Sequence, residues 1–364
     1  MKQILVVFGH EPWLLPPAIE FIKVLTLDYK FKVDIVYLPS TGIGNYKLEE
    51  ICNSVHVVDK GKITAQFYFP YWLTSHLKNT EYDILISTDI ISLQAVYFAT
   101  IRNVKQIGFW SFEINYFNKN NLFSLDFLRQ KLYPLFIAKM NFILIPSEER
   151  RDLFKNYFNY KGQIYIVLNS KRVLDRSVLK TKQPIQFIYS GRISENNYIT
   201  EIIDSLRFIE DKIILHIAGI CDDKGVEIIN NALKDSFLKS KIQYHGYLSL
   251  NELEKVQDKC HFGFVFYNDL SNISSQFPAP TKLGDYISKG MVVIGSSQSY
   301  IKHWLVDKKV GVIIKDISPQ AISSAINGEL LRYSVKRYDQ QKKIFESEYN
   351  MNLQVSNLLN NLNG

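Results

Sequence analysis

A cation and a carboxylate stand one turn apart in the stretch 279–296, APTKLGDYISKGMVVIGS: these are Lys282 and Asp285. At i and i+3 they share a face if the stretch is helical. Pro280 and Gly290 are the residue types expected to open and close such a helix. Its amino end would leave backbone N–H groups unbonded and carry a partial positive charge. A phosphate fits that end. Thr281, Lys282 and Leu283 form the first turn around it, and Lys282 adds a full charge. Asp285, one turn further in, is an acceptor able to hold a pair of hydroxyls. A phosphate seat beside a diol acceptor suits a nucleotide-sugar. The plain alternative is a solvated ion pair on a helix surface, worth roughly a few tenths of a kcal/mol. Spacing alone weighs the two evenly.

Three further places could do chemistry. Ser190-Gly191-Arg192 follows the apolar run 185–189. The glycine permits close backbone approach, and Arg192 at a strand's carboxyl end would be a second cation for a diphosphate; the alternative is a surface arginine at a loop start. Gly9 and His10 end the first apolar run, KQILVVFG. Glu113 follows QIGFWS (106–111). In open parallel sheets, ligands bind at the carboxyl ends of strands. His10 and Glu113 are therefore candidate acid–base groups, against a solvated loop carboxylate for Glu113. His216 sits mid-strand in IILHIAG and reads as a core histidine. Asp222-Asp223 is not a D-x-D metal motif. Cys52, Cys221 and Cys260 are scattered, with no metal or disulfide spacing. No metal is expected.

The elements that must hold these residues alternate. Apolar strand runs at 2–9, 33–38, 55–58, 82–87, 106–111, 142–146 and 163–169 interleave with helical spacing at 16–27 and 92–100. A second series begins at 185, with strands at 213–219, 242–248, 262–267, 291–294 and 311–314. The alternation predicts α/β architecture with parallel, doubly wound sheets. No G-x-G-x-x-G occurs, so a dinucleotide site is not indicated. The polar stretch 175–184 ends in proline and reads as the linker between domains 1–176 and 177–337.

The chain has 364 residues, enough for two domains, and its 46% hydrophobic and 22% charged content excludes a disordered chain. No apolar run approaches the roughly 20 residues of a membrane span. The amino end meets Glu11 and Pro12 too early for a signal peptide. Together with the scattered cysteines this suits a cytoplasmic protein. The net charge of +7 fits a phosphorylated substrate or an anionic lipid surface. Nucleic acid is not expected, because no helix-turn-helix, zinc finger or RNP-like motif appears. Residues 118–139 are aromatic and apolar, with Lys119, Arg129, Lys131 and Lys139 interleaved. They read either as a helix packed on the sheet or as a peripheral membrane contact, on the inner face of the membrane.

The stretch around Lys282 resembles the P-x-K-x-x-E-Y-x-x-x-G-x-x-V-I segment of retaining GT-B glycosyltransferases (glycosyltransferase family 4-like, or group 1), with Pro280, Lys282, Asp285, Tyr286, Gly290, Val293 and Ile294 in its positions. Gly191 and Arg192 are similar to the start of that family's G-R-x-x-x-x-K-G stretch, and IQYHGYL (242–248) to its V-x-F-x-G-x-L, with Gly246 at the glycine. The chain departs from the family at Asp285, where Glu is usual. It departs again at Asn197 and Tyr198, in place of Lys and Gly, and at Phe277, where many members carry a further Glu. The resemblance implies two Rossmann-like domains facing a central cleft, with helix 338–364 packing back on the first. It implies a donor site made of Gly191, Arg192, Gly246, Thr281, Lys282, Leu283 and Asp285, the last holding the ribose. Gly9, His10 and Glu113 would lie on the acceptor side. The implied reaction is metal-independent transfer of a hexose-type sugar from a UDP- or GDP-sugar to a glycan or lipid-linked acceptor, with retention, as in bacterial surface polysaccharide or glycoconjugate synthesis. No cofactor is implied; the nucleotide-sugar is a co-substrate. The alternatives are an inverting transferase or nucleotide-sugar 2-epimerase, or a non-catalytic GT-B subunit that binds a partner. The changes at 197 and 277 point toward the last.

Overall fold

The computed structural model describes all residues except 1, 41–45, 60–61, 115–124, 174–183, 211, 268–272, 333–334 and 364. The linker expected at 175–184, except its last residue Pro184, and the first part of the 118–139 stretch lie outside the described residues.

Two parallel sheets are built from the expected runs. The first has the order β3-β2-β1-β4-β5-β6-β7, with β1 Gln3–Phe8, β2 Lys32–Tyr37, β3 Ser54–Val57, β4 Tyr82–Ser87, β5 Val104–Trp110, β6 Phe142–Ile145 and β7 Gln163–Ile166. The second has the order β10-β9-β8-β11-β12-β13, with β8 Ile185–Ser190, β9 Ile213–Ala218, β10 Ile242–Gly246, β11 Phe262–Val265, β12 Val292–Gly295 and β13 Gly311–Ile313. Central strands such as QILVVF, FILI and FGFV are apolar on both faces because helices cover both sides. In each sheet the first strand lies mid-sheet and the order reverses beside it, between β1 and β4 and between β8 and β11. Those are the switch points where a crevice opens at the carboxyl edge.

The chain divides into two compact units, Met1–Arg172 with Met351–Gly364, and Val173–Asn350. The first core joins β1, β2 and β4 to helix α1 (Pro16–Lys23). It also takes in Met351, Val355, Leu358 and Leu359 of the last helix, Met351–Asn363. The expected return at 338 comes at 351 instead, because 338–350 packs within the second unit. Tyr338 lies against Gly290, Gln341 donates to the Val310 carbonyl at 2.9 Å, and Tyr349 meets the Tyr300 hydroxyl at 3.1 Å. The expected break near Asn350 is present, since Asn350 is extended (φ −69, ψ 154).

His216 is buried, as its strand position predicts. Its Nε2 lies 2.8 Å from Gln186 Oε1, an acceptor, so Nε2 carries the hydrogen. Nδ1 then accepts from His245 Nε2 at 2.9 Å, and both rings are neutral. Burial, followed by the neighbouring His245, lowers the His216 pKa to about 4. A depressed base binds its proton more readily in the unfolded chain. Stability is therefore full above the ordinary histidine pKa near 6.5 and falls as pH drops toward 4, by up to about 3 kcal/mol. Urea unfolding followed at neutral and acid pH should show this loss, and His216→Gln should flatten it. An equal loss in the variant would place the acid-sensitive group elsewhere.

Candidate functional site

In the second unit, three neighbouring strands end in glycines with positive φ: Gly191 (125°), Gly219 (151°) and Gly246 (65°). They are stacked edge to edge. Gly191 N–H donates to the Ala218 carbonyl at 3.0 Å, and Gly219 N–H to the Gly246 carbonyl at 2.8 Å. A Cβ on Gly219 would lie 1.6 Å from Gly191 O, so only glycine fits there. The carboxyl edge of β8, β9 and β10 is thus a floor of bare backbone.

Against this floor stands helix α2 (Thr281–Ser288), which follows β11 across the switch point. Pro280 is its N-cap, and no side chain caps it. Leu283 is fully buried and gives its N–H to the Pro280 carbonyl at 3.1 Å, so its side chain serves the core. Gly290 is the expected C′ glycine with φ +64, and a Cβ there would lie 2.2 Å from the Tyr338 ring. Tyr286 fixes the helix to the floor. Its hydroxyl meets Ser190 N at 3.1 Å and Ser190 Oγ at 3.0 Å, and its ring occupies the space a side chain at Gly263 would need.

The stem of Lys282 is half-buried. Its Nζ lies 4.5 Å from the Tyr189 ring centroid and 5.7 Å from that of Tyr267. A Cβ on Gly191 would stand 3.9 Å from it. Among the described residues no carboxylate pairs with Lys282; the two rings face the ammonium instead. Burial lowers its pKa to about 8. Asp285 is buried (8% exposed) on the same helix. Arg192 is exposed, with Nη2 4.0 Å from Asp222 Oδ2, and its carbonyl accepts from the Tyr189 hydroxyl at 2.7 Å. An uncapped helix end, a bare backbone floor and an ammonium that meets no carboxylate among the described residues are together the chemistry that suits an anion.

Asn197 does not reach out as a lysine would. It closes a short turn, with Ser194 Oγ 2.5 Å from its Oδ1. Tyr198 keeps the left-handed backbone (φ 57) that a glycine would adopt there without a side-chain penalty.

The first unit carries its own set at the carboxyl edge of its sheet. Gly9 ends β1, and its N–H donates to Asp89 Oδ2 at 2.6 Å. Asp89 is the N-cap of the helix Ile90–Phe98, taking the N–H groups of Ile91 and Ser92 at 2.9 and 3.0 Å. It therefore bridges β1 and β4 at the switch point. His10 is half-buried, with Nδ1 3.1 Å from the Glu11 carbonyl. Glu11 itself is 2% exposed and accepts from Ser40 N at 2.9 Å and Ser40 Oγ at 2.6 Å. Glu113 is exposed after β5, its carbonyl accepting from Ser111 Oγ at 2.8 Å.

The structure thus puts Lys282 beside Gly191, carries Thr281 and Asp285 on the same helix as Lys282, and stacks Gly246 onto the glycine floor two strands away. Arg192 lies beside it, turned toward Asp222. Sequence reasoning passed over Tyr189, Tyr267 and Gly219 in the second unit, and Asp89 and Glu11 in the first. Only Gly219 carried a signal, as the glycine ending a strand.

Residues 215–349 match the family described as Glucosyltransferase 3-like, C-terminal domain. By sequence, no curated protein matches the chain. Among solved structures, HepE of Anabaena in complex with UDP and glucose is similar at TM-score 0.74 and 11% identity, with 100% of both chains covered. TarM of S. aureus, solved with fondaparinux, alpha-GlcNAc-glycerol and UDP, is similar at TM-score 0.73 and 13% identity, again over 100% of both chains. Sucrose-phosphate synthase of Thermosynechococcus elongatus is similar at TM-score 0.72 and 11% identity, covering 100% of this chain and 99% of that one. The chain has the fold of the GT-B glycosyltransferases.

Proposed function

We propose that the protein is a glycosyltransferase that moves a sugar from a nucleoside-diphosphate sugar to a glycan or lipid-linked saccharide, with retention and without a metal. The observation that carries this is Lys282, held between two tyrosine rings beside Gly191 at an uncapped helix end. The matched domain and the UDP seen in HepE and TarM support the same reading and put UDP first among donors.

In this reading the diphosphate lies over Gly191 with its charge toward Lys282 and the amino end of α2, and Arg192 swings in from Asp222. The base lies toward Gly246, and Asp285 takes the ribose hydroxyls. The bond from the sugar's anomeric carbon to the β-phosphate oxygen breaks, and the acceptor oxygen bonds to that carbon on the same face. The acceptor's hydroxyl proton passes to the departing phosphate. Lys282 and the helix end stabilise the charge that grows on the leaving group. His10 and Glu113 sit on the acceptor side, at the edge of the first sheet. Assembly of surface glycans on the cytoplasmic face of a bacterial membrane suits such an enzyme.

The test is thermal shift of the purified protein with UDP-, GDP-, ADP- and dTDP-sugars, beside Asp285→Ala. One donor should raise the wild-type melting temperature and raise that of the variant much less. No shift with any donor at millimolar concentration would defeat the donor site. A shift without turnover would favour a non-catalytic binding subunit. Asn197, folded onto Ser194 where the family's lysine would stand, is the observation that keeps this second reading alive.

A further inference from the structure

Away from the carboxyl edge of the first sheet, two histidines face each other. His56 lies on the edge strand β3, and His76 in the last turn of the helix Lys62–Leu77. Their ring centroids are 4.8 Å apart, with the planes at 63°. Trp72 stacks on His76 at 4.7 Å and lies 5.4 Å from His56. All three side chains are half-buried, so solvent reaches them.

The hydrogen bonds around the pair decide which ring nitrogen carries the proton. Asp34, 3% exposed on β2, is the anchor. Its Oδ1 accepts from Ser54 Oγ at 2.7 Å, and its Oδ2 from the Tyr82 hydroxyl at 2.8 Å. Each hydroxyl has one hydrogen, and that hydrogen is spent on Asp34. His56 Nε2, 3.0 Å from Ser54 Oγ, must therefore donate. So must His76 Nε2, 3.0 Å from the Tyr82 oxygen. In the neutral rings each Nδ1 is then a lone pair, and among the described residues neither has a hydrogen-bond partner. Burial, followed by the neighbouring His56, holds the His76 pKa below its ordinary value despite Asp34, so this ring is neutral at pH 7. Burial raises the Asp34 pKa, but hydrogen bonds from Asn53, Ser54, Tyr82 and Gln3 outweigh it and keep the anchor an anion. The pair His216 and His245 lacks this arrangement, because its facing nitrogens are spent on each other.

We infer that His56 and His76 bind a divalent cation of the copper and zinc class through their two Nδ1 atoms, with solvent completing the shell. Imidazole suits those ions, whereas magnesium prefers oxygen ligands. The spacing fits: with metal–nitrogen bonds of about 2.0–2.1 Å and tetrahedral geometry, two imidazoles on one ion have centroids about 5 Å apart. Each Nε2–H leads through a hydroxyl to a buried carboxylate. Such outer partners orient ligating histidines and raise their basicity. Among the described residues no third His, Cys, Asp or Glu completes a metal-ligand cluster, so the ion exchanges readily. When bound, it ties the edge strand β3 to the helix Lys62–Leu77. The inference is independent of the donor site and gives the metal no part in transfer.

The test is calorimetric titration of the full chain with Zn²⁺, Cu²⁺ and Mg²⁺. One Zn²⁺, and more tightly one Cu²⁺, should bind per chain, with Mg²⁺ silent. His56→Gln with His76→Gln should weaken binding by about a hundredfold or more. Ser54→Ala, which removes only the hydroxyl behind His56, should weaken it by about tenfold. Cu²⁺ should quench tryptophan fluorescence through Trp72, so Trp72→Phe should remove most of the quench. Circular dichroism reports whether each variant is folded. Ser54→Ala and Trp72→Phe keep both histidines and so carry the test if the double variant does not fold. Zn²⁺ binding no tighter than that of Mg²⁺, undiminished binding by a folded double variant or by Ser54→Ala, or a Cu²⁺ quench that survives Trp72→Phe would each overturn the proposal.

Discussion

Lys282→Met should lower transfer from the nucleotide-sugar by about a hundredfold to a thousandfold, the usual loss when one preorganised charge at a developing anion is removed. The fold should not suffer. In the free protein the half-buried ammonium faces two rings and, among the described residues, pairs with no carboxylate, so its removal should leave the melting temperature unchanged or raise it. Free Lys282 has its pKa lowered by burial to about 8, below its ordinary value near 10.5. The unfolded chain therefore holds the proton more strongly between those values. Stability rises with pH across that window, and below pH 8 the buried charge costs its full amount. Donor binding has the opposite sense. A diphosphate beside the ammonium favours the charged form, so binding takes up a proton above pH 8 and affinity weakens as pH rises. Calorimetric titration in buffers of different ionisation enthalpy reads the uptake directly. Lys282→Arg, whose charge does not titrate, should abolish it. A donor affinity that is flat from pH 7 to 9 in the wild type, or full activity in Lys282→Met, would remove Lys282 from the phosphate seat.

Gly219→Ala should be the most damaging single change on the donor side. Its φ is +151, and the new Cβ would fall 1.6 Å from Gly191 O and 2.7 Å from Gly191 C, both backbone atoms. Neither can yield without parting β8 from β9, so a loss of about 4 kcal/mol or more is expected, enough to unfold much of the second unit. Gly246→Ala is the matched control. Its φ is +65, and a Cβ there meets nothing within 4 Å. Only the backbone preference is lost, at about 1–2 kcal/mol. Chemical unfolding of the two variants side by side decides the matter. If Gly219→Ala unfolds no sooner than Gly246→Ala, the strand ends are not packed as described.

The contrast also shows what a sequence can carry. Each of these glycines could be read as the end of an apolar run, and Lys282, Asp285 and Gly290 could be placed on one helix, because those are local patterns. Which glycine lies on which depends on register between strands whose residues are some 30 positions apart, 191 against 219 and 219 against 246. No local pattern holds that. Asp89 was invisible for the same reason, since Gly9 is 80 residues away. Glu11 was passed over because a carboxylate next to a proline near the amino end looks solvated. Its burial depends on Ser40, at the far end of the next strand. The stretch 338–362 has helical periodicity on both sides of Asn350, so nothing local said which unit each half would join. That choice is made by contacts at Gly290, Val310 and Tyr300.

The chain leaves the first unit after Arg172 and re-enters it at Met351, and the Met351 N–H donates to the Lys171 carbonyl at 2.7 Å. Exit and entry are therefore side by side. Topologically, the second unit is an insertion into a domain that is already closed. Residues 173–350 could be excised and their flanks joined by a short turn without removing a strand from the first sheet or the last helix from its core. The same closeness gives the inserted piece neighbouring ends, so it is suited to circular permutation.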